Sequence, residues 1–459
     1  MCWWCTSSTK RWAGGSCRAF GCGSLAKQLG KLTRLGRVQL SVVSQILSIV
    51  LNLAGAIILA RWLGPTGKGV LSVFLSAAFF GAVLYGFGIV PAVSTWVSKG
   101  LLTLRQSLAV GSLAALLTCG LAAATIAVAP GLVPVGRNSW YVVPMIVSVM
   151  LSQVQLAAAQ GVGEMRSIVV NNVVSLGLQV AVFAALAVSA PADPIAAVLG
   201  WLLAQNVGTG VGWWHLFKLT HERTPERPSA LGGMLRFGLS AAPAQVLTAA
   251  NARLDILLLA SLSGSAITGQ YSMAVTGVQL LSVVPASVAQ AMAVEFGSEQ
   301  RDSGESVAAS FRLSLFAAAA TGLLLALAAW PTVRFALGSR YAQTVPMLWI
   351  MLPGMVAYSI VPIAISYYWH ARSRGMQPNL IVGTAVTVDA ILLLLLVRPL
   401  GAYGAAAAAS VAYLIAGLLA ARIAATGLNC HLRDLLVPRR SDFERVRVAV
   451  RRRYGGRDA

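Results

Sequence analysis

The sequence predicts an all-α integral-membrane protein: about twelve transmembrane helices in two parallel six-helix bundles around a central cleft. Three observations carry that prediction. First, of 459 residues only 11% are charged and 57% are hydrophobic, whereas soluble domains carry about 25% charged residues. So few charges cannot clothe a water-facing surface, and lipid must cover most of the outside. Second, apolar runs of about 18–25 residues recur along the chain, the length that crosses a hydrocarbon core of roughly 30 Å. Third, the opening helix and turn recur without a gap 200 residues later. Gln45 falls on Gln245, Leu47 on Leu247, Leu59 on Leu259, Ala60 on Ala260, Gly64 on Gly264, Gly69 on Gly269 and Ser72 on Ser272. A hydrophobic chain that repeats its opening halfway along is built from two similar halves.

Backbone in lipid must satisfy its own hydrogen bonds, and non-alternating runs of this length mean helices rather than a barrel. The runs place spans at 41–60, 70–91, 108–129, 141–160, 168–189, 195–217, 237–262, 270–294, 308–330, 343–367, 379–398 and 403–426. The weakest is 141–160, which Pro144 and several polar residues interrupt. Residues 1–39 form a basic tail expected to be disordered, and 40–217 hold the first six spans. A polar linker, 218–236, separates them from the second six at 237–426. Residues 427–459 form a second basic tail, with an amphipathic surface helix expected over Asp442 to Arg453. Six is an even number, so both halves enter the membrane from the same side and are related by an axis along its normal. Rocking two such bundles exposes the cleft between them to either side in turn.

The net charge of +21 is concentrated in the two tails and in alternate loops, for example Lys99 and Arg105, Lys218 to Arg236, and Arg372 with Arg374. The intervening loops are nearly bare. This positive-inside pattern places both termini in the cytoplasm and the chain in the cytoplasmic membrane. It makes anionic membrane lipids, not nucleic acid, the partner of the basic tails. No cleavable signal peptide is expected, because 41–60 is long enough to stay as a membrane helix. Cys2 and Cys5 have the CxxC spacing of a zinc knuckle, but no second CxxC follows. No metal or cofactor is expected, and Cys119 and Cys430 read as ordinary buried or interfacial residues.

Polar residues inside the spans are the candidates for function. The first span carries Gln45, Ser48 and Asn52 on one helical face, and the seventh carries Gln245, Thr248, Asn251 and Asp255. Ser148, Ser152 and Gln155 form a stripe on span four, and Asn172, Ser175 and Gln179 another on span five. Lipid would leave these groups unsatisfied, so they face the bundle or a wet cleft. Helix–helix hydrogen bonding is one reading, worth about 0.6–2 kcal/mol per contact. Contact with a sugar or phosphate cargo is the other, and for Asn52, Asn251 and Gln245 both stand. Three charges lie well inside spans: Arg253, Asp255 and Asp389. Each costs about 2.5–3.5 kcal/mol or more at mid-bilayer if unpaired. Arg253 and Asp255 are two apart on a helix and cannot line one face. Arg253 reads as a cation facing an anionic cargo or as a structural ion pair. The two acids read as proton- or cation-coupling groups or as buried, hydrogen-bonded acids. Arg61 and Lys68 flank the turn after the first span, as interfacial anchors or as a basic rim on the cleft. GPTGKG at 64–69 lacks the phosphate-loop spacing and has no preceding strand. Without HExxH, GxSxG or a nucleotide-binding domain, no enzyme is predicted, and energy must come from gradients or from the cargo.

The segment ILARWLGPTGKGVLSVF (58–74) resembles the first-loop signature of bacterial polysaccharide flippases of the Wzx type, in the multidrug/oligosaccharidyl-lipid/polysaccharide exporter (MATE-like) superfamily. RLDILLLASLSGSAITGQYSMA (253–274) is similar to the family's seventh-helix pattern. YAQTVPMLWIMLPGMVAYSIVPIAISYYWHARSRGMQP (341–378) resembles its tenth helix, and VRPLGAYGAAAAASVAYLI (397–415) its last loop and helix. Four stretches in order, across roughly residues 36–426, make the resemblance fairly specific. It implies translocation of a polyprenyl-pyrophosphate-linked oligosaccharide to the outer leaflet, with polysaccharide polymerase and export machinery as company. It carries the pyrophosphate contact onto Arg61 and Arg253, with Asp255 as the matching acid. Asp389 departs from the family, where Asn is expected. The substrate-binding set is then Arg61, Arg253, Asn52, Gln45, Gln245, Asn251 and Asn172, and the ion-coupling pair is Asp255 and Asp389. The rival reading is a cation-coupled small-molecule or multidrug efflux carrier of the same fold. Flippases for the lipid-linked peptidoglycan precursor are close relatives but usually have fourteen spans. A membrane glycosyltransferase would need a large extramembrane loop that this chain lacks.

Overall fold

The computed structural model describes residues 22–129, 131, 134–219, 231–282, 285, 304–368, 376–437, 439 and 442; side chains are described from Leu47 onward. All regular structure among these residues is helical. The first helical stretch, Cys22–Tyr85, breaks at Gly64 (φ 65°) into α1 (22–63) and α2 (65–85). Then come α3 (Ile89–Ser98), α4 (Leu104–Val128), α5 (Val142–Val162), α6 (Met165–Ser189) and α7 (Pro194–Leu219). The second half runs through α8 (Leu231–Ser263), α9 (Ser265–Gln279), α10 (Gly304–Thr332), α11 (Thr344–Tyr358) and α12 (Val361–Ser366). Its last long stretch, Met376–Leu428, breaks at Gly401 into α13 (376–400) and α14 (402–428), and α15 (Leu432–Leu436) follows.

Nine of the described stretches are long and apolar enough to cross a membrane. Two of them, Leu47–Tyr85 and Met376–Leu428, are each a pair of spans joined at a glycine. The predicted span 270–294 begins in α9 and continues into residues outside the described set. The weak span at 141–160 forms a helix, α5, the most buried of the nine. Its stripe of Ser148, Ser152 and Gln155 is buried against protein. Where a disordered tail was expected through residue 39, the backbone is helical from Cys22. The Cys2/Cys5 pair, most of the 218–236 linker and nearly all of the surface helix expected at Asp442 to Arg453 lie outside the described residues.

The breaks follow from residue chemistry. Gly64 and Gly264 both take positive φ (65° and 81°), where a side chain would be strained. Each is followed by a helix start, so each half turns back on itself at the same place in its sequence.

The 200-residue repeat is also a physical pairing. A Cβ at Gly69 would lie 1.8 Å from the Ser265 carbonyl oxygen, and one at Gly269 would lie 1.9 Å from that of Pro65. The α2 and α9 backbones therefore cross in contact at equivalent glycines. One turn further along, the Ser72 hydroxyl donates to Ser272 Oγ at 3.0 Å. The cores interlock at the same seam: Ala56 and Ala60 belong to the second half's core, and Ala260 to the first's. A second junction lies at the far end of α2, where a Cβ on Gly88 would lie 2.0 Å from the Gly238 carbonyl oxygen. Trp96 of α3 meets Phe237 of α8 there, ring centroids 5.7 Å apart.

The second half is tied at one end by a buried arginine. Arg312, with a fully buried side chain, donates to both Asp442 oxygens (2.6 and 2.7 Å), to the Asp434 carbonyl oxygen (2.6 Å) and to Glu305 (2.9 Å). Together with buried Leu435, this fastens the segment around α15 against α10 and α14.

Candidate functional site

A cavity of about 440 Å³ lies between the halves below the glycine crossing, lined by α1, α2, α6, α7, α8 and α9. Its polar lining includes Asn52, Lys68, Gln179, Arg253 and Thr276. The helical period delivers them: residues 68, 72 and 76 of α2 and 272, 276 and 279 of α9 fall on facing stripes. Lys68 is only 7% exposed, yet it reaches this cavity. It lies near enough to Arg253 for the two charges to repel. Among the described residues neither is paired with a carboxylate; the ion pairs there are those of the Arg312 cluster. Arg253 Nε is buried without a hydrogen-bond partner, and its guanidinium lies 5.2 Å from the Phe79 ring centroid. Asp255, two residues along α8, attracts Arg253 without forming an ion pair with it. Two desolvated cations against that one carboxylate are expensive and make the cavity a place for an anion. The Asn52 amide donates to the Ser48 carbonyl oxygen at 2.9 Å, which leaves its Oδ1 free.

A smaller cavity of about 280 Å³ lies between α2, α3, α5 and α8. It is lined by apolar side chains together with Gln153, Gln245 and Thr248. Phe79, on which Arg253 rests, is part of its wall.

The carboxylates sit elsewhere, inside the second half. Asp255 accepts from the Tyr271 hydroxyl at 2.7 Å and from the Ile256 N–H at 2.7 Å. Asp389 of α13 is buried near it, with Oδ1 unpartnered. Asn251 donates to the Tyr358 hydroxyl at 3.3 Å, with its own Oδ1 unpartnered, and Tyr358 packs on Tyr413 at 4.8 Å between centroids. Two carboxylates, an amide oxygen and phenolic hydroxyls make a packed, oxygen-rich cluster whose chemistry suits a proton or a hard cation. Among the described residues, no three His, Cys, Asp or Glu side chains cluster as a metal site.

The predicted residues therefore separate. Arg253 and Asn52 line the large cavity, and Gln245 the small one. Asn251, Asp255 and Asp389 belong to the oxygen-rich cluster in the second half. Arg61 lines neither cavity: its guanidinium donates to the carbonyl oxygens of Ala336 (2.5 Å) and Phe335, tying the first half's turn to the end of a helix of the second. The Tyr341 hydroxyl adds a parallel tie to the Ala60 carbonyl oxygen at 3.2 Å. Asn172 lines neither cavity; its neighbours Asn171 and Ser175 are the buried ones, packed against Gly212 and Gly208 of α7. The Gln45 side chain lies outside the described set. The α5 stripe is engaged in helix–helix hydrogen bonds: Asn206 to Ser148 (2.8 Å), Gln205 to Ser152 (2.8 Å) and Gln155 to Ser167 (3.1 Å). Gln153 was not among the sequence candidates, and Lys68 was read only as an interfacial anchor or a basic rim on the cleft, outside the substrate-binding set. For Lys68 a signal existed: it breaks the repeat, standing where the second half has Thr268, just as Arg253 stands against Leu53.

Two helical halves that cross at paired glycines over a polar cavity, with nine described stretches long and apolar enough to span a bilayer, define a multi-pass membrane protein. Solved structures share this fold. "Lipid II flippase MurJ, inward closed conformation" superposes with a TM-score of 0.69 over 87% of this chain and 89% of that one, at 14% identity. A multidrug resistance MATE family transporter of the MOP superfamily matches in its inward-facing form (TM-score 0.61, 13% identity, 84% of this chain and 98% of that one). Its outward-facing form matches as well (0.61, 13%, 86% and 95%). No curated protein matches by sequence. Residues 37–294, more than half of the chain, match the family described as polysaccharide biosynthesis protein, and the chain belongs to that family.

Proposed function

We propose that this protein moves a polyprenyl-pyrophosphate-linked oligosaccharide across the cytoplasmic membrane by alternating access, with both termini on the cytoplasmic side. One observation carries the reading: Lys68, buried, and Arg253, half-buried, form no ion pair with a carboxylate among the described residues, and both line the cavity between the halves. A diphosphate supplies the missing negative charge, and an arginine fork can give it two parallel hydrogen bonds. Asn52, Gln179 and Thr276 surround it with neutral polar groups. The lipid tail stays in the bilayer while the head crosses. Polysaccharide polymerase and export machinery are its expected company. Deleting the gene in its host tests this: lipid-linked oligosaccharide should accumulate on the cytoplasmic leaflet and surface polymer should be lost. Unchanged glycolipids and polymer would overturn the assignment.

The second reading, cation-coupled efflux of small molecules, draws on the Asp255–Asp389 cluster. A cavity lined by two unpaired cations repels cationic drugs, so the acids fit better as an energy-coupling site for the flippase. Asp389→Asn should then abolish dependence on an imposed proton or sodium gradient while cargo still binds. Gradient-dependent transport in that variant would remove Asp389 from coupling.

A further inference from the structure

The contact between Arg253 and Phe79 divides the cleft. Arg253 lines the larger cavity, Phe79 lines the smaller one, and the guanidinium carbon is 5.2 Å from the ring centroid. The pair is a wall shared by two chambers, and the chambers differ in chemistry. The larger presents Lys68 and Arg253. The smaller has no charged residue in its lining; its polar groups are Gln153 on α5, Gln245 on α8 and Thr248. The Thr248 hydroxyl donates to the Ala244 carbonyl oxygen at 2.8 Å. Neither glutamine side chain has a hydrogen-bond partner among the described residues.

Two free primary amides, one from each half of the protein, look onto an otherwise apolar space. Each amide carries two N–H donors and an acceptor oxygen. A charged ligand would lose its hydration there without meeting a counter-charge. A hydrocarbon chain would strand both amides without hydrogen bonds. A neutral polyhydroxylated ring meets both demands: its hydroxyls pair with the amides and its C–H faces lie on Phe79, Met150 and Ile89. The volume, about 280 Å³, suits the first residues of a glycan rather than a long polymer.

We propose that the smaller chamber is a glycan subsite, in which Gln153 and Gln245 bind the neutral sugar next to the pyrophosphate. Lys68 and Arg253 then hold what every cargo of this class shares, and the two glutamines read what differs. The proposal rests on the phosphate reading of the larger chamber, and the experiment separates the two. The purified full chain is titrated with a sugar-free polyprenyl pyrophosphate and with the same lipid bearing a hexose or an N-acetylhexosamine. In the wild type, one of the sugar-bearing lipids should bind tighter. In Gln153→Leu and Gln245→Leu, affinity for the sugar-free lipid should stay within about twofold. The sugar's added affinity should fall about tenfold, as expected for losing hydrogen bonds to stranded amides. Gln153→Asn and Gln245→Asn, which keep the amide on a shorter arm, should lose less and guard against a folding defect. Equal losses for sugar-free and sugar-bearing lipids would overturn the subsite. So would no loss, or a wild type indifferent to the sugar. Lys68→Ala and Arg253→Ala that bind the sugar-free lipid normally would overturn the phosphate reading instead.

Discussion

Adding one methyl group at Gly269 should unseat the junction between the halves. The Cβ of an alanine there would lie 1.9 Å from the Pro65 carbonyl oxygen and 3.0 Å from the Gly69 nitrogen. Both neighbours are backbone and cannot rotate aside. Ordinary contact begins at 3.4 Å, so α2 and α9 must part by about 1.5 Å at this point. Overpacking of this kind costs about 1–3 kcal/mol, and the cost falls only on the state in which the helices cross. The penalty therefore transfers to the equilibrium between closed and open forms of this end, a shift of roughly tenfold or more. The assay is the rate at which an impermeant thiol reagent, applied from the side of the Gly64 and Gly264 turns, labels Thr276→Cys in a background lacking the native cysteines. Gly269→Ala should raise that rate about tenfold. Gly277→Ala, whose new Cβ meets the movable Leu348 side chain, should leave it within twofold. If Gly269→Ala labels at the background rate with an unchanged thermal midpoint, the crossing does not hold this end shut.

Two further outcomes follow from the geometry. With Ser72 and Ser272 hydroxyls 3.0 Å apart, Ser72→Cys with Ser272→Cys should form a disulfide under mild oxidation. It should stop cargo movement and release it on reduction; transport by the fully cross-linked protein would refute alternating access at this end. In the Arg312 cluster, Asp442→Ala strips a buried guanidinium of its bidentate partner, a change worth about 3 kcal/mol. It should lower the thermal midpoint of the purified protein, and an unaltered midpoint would show that the segment around α15 adds nothing to the fold.

Much of the architecture was legible because a membrane imposes length and polarity on each helix. The repeat went further than span counting: Gly69 with Gly269 and Ser72 with Ser272 are partners in the sequence alignment and in space. The site was less legible. The repeat describes what the halves share, whereas the charges that line the cavity are where they differ, as at Lys68 against Thr268 and Arg253 against Leu53. Arg61, also a break in the repeat, against Ser261, is captured by carbonyl oxygens at a helix end that only the tertiary fold brings near. Asn172 fell one position off the face that packs inward, since Asn171 and Ser175 carry that stripe. The second chamber needs α5 and α8 side by side, and no spacing within one helix announces it.

The most direct test of the account is leaflet-to-leaflet movement of a fluorescent polyprenyl-pyrophosphate oligosaccharide in vesicles containing the purified protein. The wild type should move it well above protein-free vesicles. Lys68→Ala with Arg253→Ala should fall to the protein-free rate while keeping the wild-type thermal midpoint. Movement by that double variant at the wild-type rate would contradict the claim that the two cations lining the cavity carry the pyrophosphate.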